Sequence, residues 1–131
     1  MSTQKILIVD DEITTCAALS DELVKAGYET ASAYDGAQGL EMITSFKPDL
    51  VLLDLLMPVT SGIDLLRTYK ESVSEPEPHF IIITNMDAID AMNAAFSHKV
   101  TDVVAKSSAT VKGIVALVQQ RLIERQAQGV V

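Results

Sequence analysis

The chain has 131 residues, 48% of them hydrophobic, with 18 acidic against 10 basic residues and a net charge of −8. That length leads us to expect one packed domain over residues 1–131, and the lack of a basic run argues against direct nucleic-acid binding, which needs clustered Lys and Arg. No apolar run approaches the ~18 residues of a membrane helix. The start MSTQKILIVDDE lacks a signal-peptide layout, and one cysteine closes no internal disulfide, so a cytoplasmic protein without membrane insertion is expected.

In chain order, residues 5–9 form a Val/Ile/Leu run that ends at Asp10-Asp11-Glu12, the pattern of a buried strand followed by acid. Ile13, Cys16, Leu19, Leu23 and Val24 recur at helical spacing over residues 13–26, and Gly27 is placed to stop that helix. Cys16 reads as a small core residue. Residues 28–33 suit a short strand. Asp35 is positioned to cap a helix carrying Leu40, Ile43 and Phe46, closed by Pro48.

Leu50 to Leu53 is a second continuous apolar run, and Asp54 ends it. The chain then turns through Met57-Pro58, and Pro58 cannot continue a central strand because it has no N–H for the ladder. Asp54 therefore stands at the carboxyl end of a strand, the side on which open α/β sheets bind ligands. A plain capping aspartate is the competing reading for that residue taken alone.

Ser61 is placed to cap a helix with Ile63, Leu66, Tyr69 and Val73, and residues 72–79 read as a polar, proline-containing surface loop. Phe80 to Ile83 is a buried run ending in Thr84. Asp87 caps the next helix, whose small apolar content is Ala91, Ala94, Ala95 and Phe96. Residues 101–105 form the fifth strand, ending in Lys106. The last helix, residues 109–125, is expected to start on Ser107 or Ser108 and to bury Val111, Ile114, Val115, Val118 and Leu122, with residues 126–131 as a frayed tail.

Five strands alternating with five helices predict a three-layer α/β fold around a parallel sheet. The flavodoxin-like order 2-1-3-4-5 sets strands one and three side by side, so Asp10, Asp11 and Asp54 converge, with Thr84 and Lys106 on the same edge. Three clustered carboxylates repel one another unless a cation neutralises them, and Mg²⁺ suits one or two carboxylates plus phosphate oxygens. A lysine and a threonine hydroxyl beside such a cluster suit a phosphoryl group, and with no His or Cys in the set a carboxylate is the available nucleophile. Asp54 is the better choice, because adjacent Asp10 and Asp11 suit the shared metal. Neither G-x-G-x-x-G nor G-x-x-x-x-G-K-[ST] occurs, so dinucleotide and nucleoside-triphosphate binding are unsupported.

The pair Asp10-Asp11, Asp54 within D-x-x-M-P…G, Thr84 after the fourth strand and Lys106 after the fifth together resemble the receiver domain of two-component response regulators, over essentially the whole chain. The resemblance implies a phosphoacceptor at Asp54, supplied by a sensor histidine kinase or phosphotransfer protein. It implies Mg²⁺ held by Asp10, Asp11, Asp54 and the backbone carbonyl of Leu56, with Thr84 and Lys106 as the matching hydroxyl and lysine. Such a protein catalyses only its own phosphorylation and dephosphorylation, and signals by docking to a downstream protein target; the alternative is a phosphorelay intermediate or phosphate sink. Three positions depart from the family pattern: Asn85 stands for a small residue, Val103 for an aromatic and Ser107 for a proline. Elsewhere, His79 and His98 read as surface histidines, Met86 and Met92 as core filling, and Asp35, Asp64, Asp87, Asp90 and Asp102 as caps or solvated face.

Overall fold

A computed structural model describes residues 3–57, 60–72 and 77–129. The expected turn at Pro58, Val73 of the third helical stripe, residues 73–76 of the 72–79 loop and the end of the tail lie outside those residues. Strand β1 (Lys5–Val9) leads to helix α1 (Ile13–Lys25), β2 (Glu29–Ala33) to α2 (Gly36–Phe46) and β3 (Leu50–Leu53) to α3 (Gly62–Ser72). Strand β4 (His79–Thr84) leads to α4 (Ala88–Ser97), and β5 (Asp102–Ala105) to α5 (Val111–Ala127). All pairings are parallel, in the order β2-β1-β3-β4-β5, which is the flavodoxin-like arrangement.

Alternation along the strands divides the core into two layers, because successive side chains point to opposite faces. Leu7, Val9, Val51, Leu53 and Ile82 pack with Ile43 of α2, Leu65, Leu66 and Tyr69 of α3, and Ala91 and Ala95 of α4. Ile6, Ile8, Leu50, Leu52, Ile81 and Ile83 pack on the other face with Cys16, Leu19 and Leu23 of α1 and Ile114, Val118 and Leu122 of α5. Leu50 to Leu53 is buried residue by residue, as an apolar run in a central strand requires.

The helix starts follow local chemistry. Asp35 accepts from the N–H of Gln38, Ser61 from that of Asp64, and Asp87 from those of Ile89 and Asp90, which fills donors left open in a first turn. Helix α1 ends where Gly27 adopts φ 101°, a conformation that disfavours a side chain.

Several expectations are corrected. Helix α5 is capped by Thr110, whose hydroxyl accepts from Gly113, because the chain first spends Ser107 and Ser108 in a turn in which the Ser108 N–H reaches Ala105. That helix runs to Ala127, two residues into the expected tail. Ile13 and Val24 flank the buried stripe of α1 and are exposed, as is Phe96 on α4; Met92 is exposed rather than core filling. Asp102 is neither a cap nor solvated. It accepts from Nε and Nη2 of Arg121, at 2.8 and 3.0 Å, and lies 2.6 Å from His79 Nε2, which removes His79 from the free surface.

Candidate functional site

The sheet ladder carries the site. Past the end of β1 the Asp10 N–H reaches Ala33, past β3 the Asp54 N–H reaches Val9, and past β5 the Lys106 N–H reaches Thr84, at 2.9–3.0 Å. Each residue is therefore held by one further rung of its strand. Period-two alternation sends Asp10, Asp54 and Lys106 to the α1/α5 face, in line with Ile8, Leu52 and Val104. Gly62 closes the loop after β3 from behind: a Cβ there would strike the carbonyl of Asp54, so only glycine lets the start of α3 approach so closely.

Asp10, Asp11 and Asp54 each offer a carboxylate oxygen, and these oxygens lie within 4.8 Å of one another. Asp10 and Asp54 are only 4% exposed, whereas Asp11 faces solvent. The oxygens of the buried pair are divided between two duties. One oxygen of Asp10 accepts from the Glu12 N–H at 2.9 Å and one of Asp54 from the Leu56 N–H at 3.1 Å, which fixes both carboxylates. The others face Lys106 Nζ, at 2.7 Å from Asp10 and 3.4 Å from Asp54. Glu12 adds a third carboxylate to the same ammonium.

Burial pushes the Asp10 carboxyl above its ordinary value, and the neighbouring Asp54 adds to this; the hydrogen bonds from Lys106 and the Glu12 N–H only partly oppose it. Lys106 moves the other way from its own burial. Desolvation would lower its affinity for a proton, yet its bonds to Asp10 and Glu12 and the charge of Asp54 outweigh that, so it stays an ammonium. Beneath them Cys16 Sγ lies 3.4 Å from the Asp10 carbonyl, and its thiol is pushed up to about 11, first by burial and then by the Asp10 charge, so it remains protonated core.

Thr84 ends β4 fully buried, on the opposite alternation from Asp54, and its Oγ1 accepts from the Met86 N–H at 3.2 Å. Behind it opens an apolar cavity of about 210 Å³, lined by Met86, Met92, Phe96 and Val103 among others. Of the residues singled out from sequence, Asp10, Asp11, Asp54 and Lys106 form one connected cluster, and Thr84 adjoins it through the backbone of Lys106. Sequence reasoning passed over Glu12. Its signal was present as the third acid after β1, but nothing local shows that its side chain reaches a lysine 94 positions away.

The family profile for the response regulator receiver domain matches residues 6–119. Among curated proteins, sporulation initiation phosphotransferase F of Bacillus subtilis is 39% identical over 90 residues, which cover 69% of this chain and 71% of that protein. The DNA-binding response regulator MtrA of Mycobacterium tuberculosis is 35% identical over 89 residues, 68% of this chain but only 38% of the longer relative. Among solved structures, a CheY-like response regulator receiver domain protein from Methanospirillum hungatei superposes with a TM-score of 0.87 at 22% identity, over 97% of this chain and 99% of that one. A receiver domain protein from Clostridium thermocellum gives 0.81 at 26% identity, covering 95% and 98%. With its sheet order, its acidic edge and the match across residues 6–119, the chain belongs to the response regulator receiver domain family.

Proposed function

We propose that this receiver takes a phosphoryl group onto Asp54 from a sensor histidine kinase or a phosphotransfer protein, and that the modified protein signals by docking to a downstream protein. The observation that carries this reading is the meeting of Asp10, Asp11 and Asp54 within 4.8 Å beside the Lys106 ammonium. Asp54 is the acceptor because the adjacent Asp10 and Asp11 are suited to share the metal, which leaves the carboxylate at the end of β3, with one oxygen already oriented by the Leu56 N–H, for the phosphoryl group. Its carboxylate oxygen attacks the phosphorus, the phosphorus–nitrogen bond of the donor breaks, and the electron pair leaves with the imidazole.

Three hard carboxylate oxygens at this spacing fit Mg²⁺, with Asp10, Asp11, Asp54 and the backbone carbonyl of Leu56 as its holders. When bound, such an ion neutralises the acids and the incoming phosphoryl oxygens. Lys106 supplies a second, point-like positive charge; Thr84 Oγ1 accepts from the Met86 N–H and, among the described residues, donates to no acceptor, so its hydroxyl proton is available to a phosphoryl oxygen.

Docking output is supported by the exposed apolar side chains of Ile89, Met92 and Phe96, which recur at helical spacing along α4. The relay reading is supported by the 39% identity to a sporulation initiation phosphotransferase. Decay of the phosphorylated protein with and without added phosphotransfer proteins separates the two: fast, partner-dependent loss marks a relay. The phosphoacceptor itself is tested with acetyl phosphate. Parent protein incorporates label only with a divalent cation, and Asp54→Asn incorporates none; equal incorporation by that variant contradicts the assignment.

A further inference from the structure

Lys106 is claimed by three carboxylates, and two of them have a second use. On the reading above, Asp10 and Asp54 are metal holders, yet the same two side chains each give an oxygen to the ammonium, at 2.7 and 3.4 Å. A cation entering the cluster therefore competes with Lys106 for them. Glu12 has no such conflict. It occupies the position before the first residue of α1, where a short acceptor such as Asp would bond back to the helix N–H groups; the longer Glu12 side chain makes no such bond. The carboxylate instead crosses to Lys106, which is only 11% exposed, while the Glu12 backbone N–H is tied to Asp10.

We propose that Glu12 is a positioning residue for Lys106, holding the ammonium at the lip of the carboxylate cluster so that it stays in the site while Asp10 and Asp54 pass to a divalent cation. Among the described residues, the ammonium without Glu12 keeps only the two contested carboxylates, and cation entry takes both. With Glu12 one contact persists throughout. The role differs from a general attraction of the metal by one more negative charge, because it works only through Lys106. Glu12 is itself half exposed, so its direct pull on a cation is screened by water and salt.

This inference rests on the metal reading, and the test separates the two. Mg²⁺ binding is followed by titration calorimetry for the parent, Glu12→Gln, Lys106→Met and the double variant. Gln keeps the length of the side chain and removes no helix cap, so the fold is retained. The expected result is that Glu12→Gln weakens Mg²⁺ binding about fivefold in the parent but less than about twofold when Lys106 is Met. An equal loss in both backgrounds, or none in either, overturns the proposal. A second readout needs no metal: the ammonium proton signal of Lys106, followed by NMR in chelator, exchanges faster with water in Glu12→Gln and is restored towards the parent by Glu12→Asp. If the parent binds no Mg²⁺, the metal reading fails and this signal alone decides; an unchanged ammonium signal in Glu12→Gln overturns the role of Glu12.

Discussion

The two ends of the sheet hold charge in opposite ways. At the amino end, where β1, β4 and β5 begin, three acids among the described residues each meet a donor. Asp49 accepts from the Lys5 N–H at 2.8 Å, Asp102 is held by Arg121 and His79, and Glu77 pairs with Lys70 at 2.6 Å. At the carboxyl end Asp10, Glu12 and Asp54 gather around Lys106, and Asp11 lies beside Asp10 and Asp54. Desolvation acts on an acid at each end, with opposite net results. Asp102 is desolvated, yet the bonds from Arg121 and His79 overcome this and hold its carboxyl below the ordinary range; for Asp10 desolvation wins, and its carboxyl is raised. Matched charge stabilises a fold, whereas an excess of one sign leaves a need that an added cation meets.

The largest effect that could break this comparison is loss of the Lys106 ammonium at the carboxyl end. In chelator, Lys106→Met costs about 3 kcal/mol in urea unfolding, since it leaves the buried Asp10 and Asp54 without the positive charge they share, and Mg²⁺ restores most of it. If Mg²⁺ stabilises the variant no more than the parent, the acids are not what destabilises it. At the amino end Asp102→Asn costs about 2 kcal/mol, because charged hydrogen bonds from Arg121 and His79 are lost, and here Mg²⁺ restores nothing. Equal rescue at both ends would remove the distinction.

Acid sharpens it further. Asp102 has a depressed carboxyl, so its contribution is present above the unfolded value near 3.8 and is lost as pH falls through the lower folded value. The stability gap between parent and Asp102→Asn is thus flat from neutrality to about pH 4 and closes only below that. A gap that closes between pH 5 and 7 would contradict the assignment to the Asp102 carboxyl. The smallest expected change is at the entry to α5. Thr110→Ala costs about 1 kcal/mol and leaves both sheet ends otherwise as they were, with unchanged Mg²⁺ binding.

What was legible in the chain follows the same division. The apolar runs at 6–9, 50–53 and 80–83 announced buried strands because strands covered on both faces have no polar alternative, and Asp35, Ser61 and Asp87 announced helix starts because a short acceptor is used within three residues. The acids after β1 and β3 converged because strand order alone brings those ends together. Contacts between distant side chains were not legible. His79 with Asp102 depends on the register that sets Ile81 beside Asp102, and Glu12 with Lys106 depends on two loops meeting. Thr110 was missed because Ser107, Ser108 and Thr110 all cap equally well on paper, and only the turn after β5 decides between them.

The central claim is that the unmatched acids at the carboxyl end make Asp54 the site of covalent chemistry. Borohydride reduction of the acetyl phosphate-treated protein converts an aspartyl phosphate into homoserine, which peptide mass spectrometry then locates in the sequence. The account predicts homoserine at position 54, formed when Mg²⁺ is present and not in chelator. Homoserine at position 10 or 11, or at position 54 regardless of the cation, would contradict it.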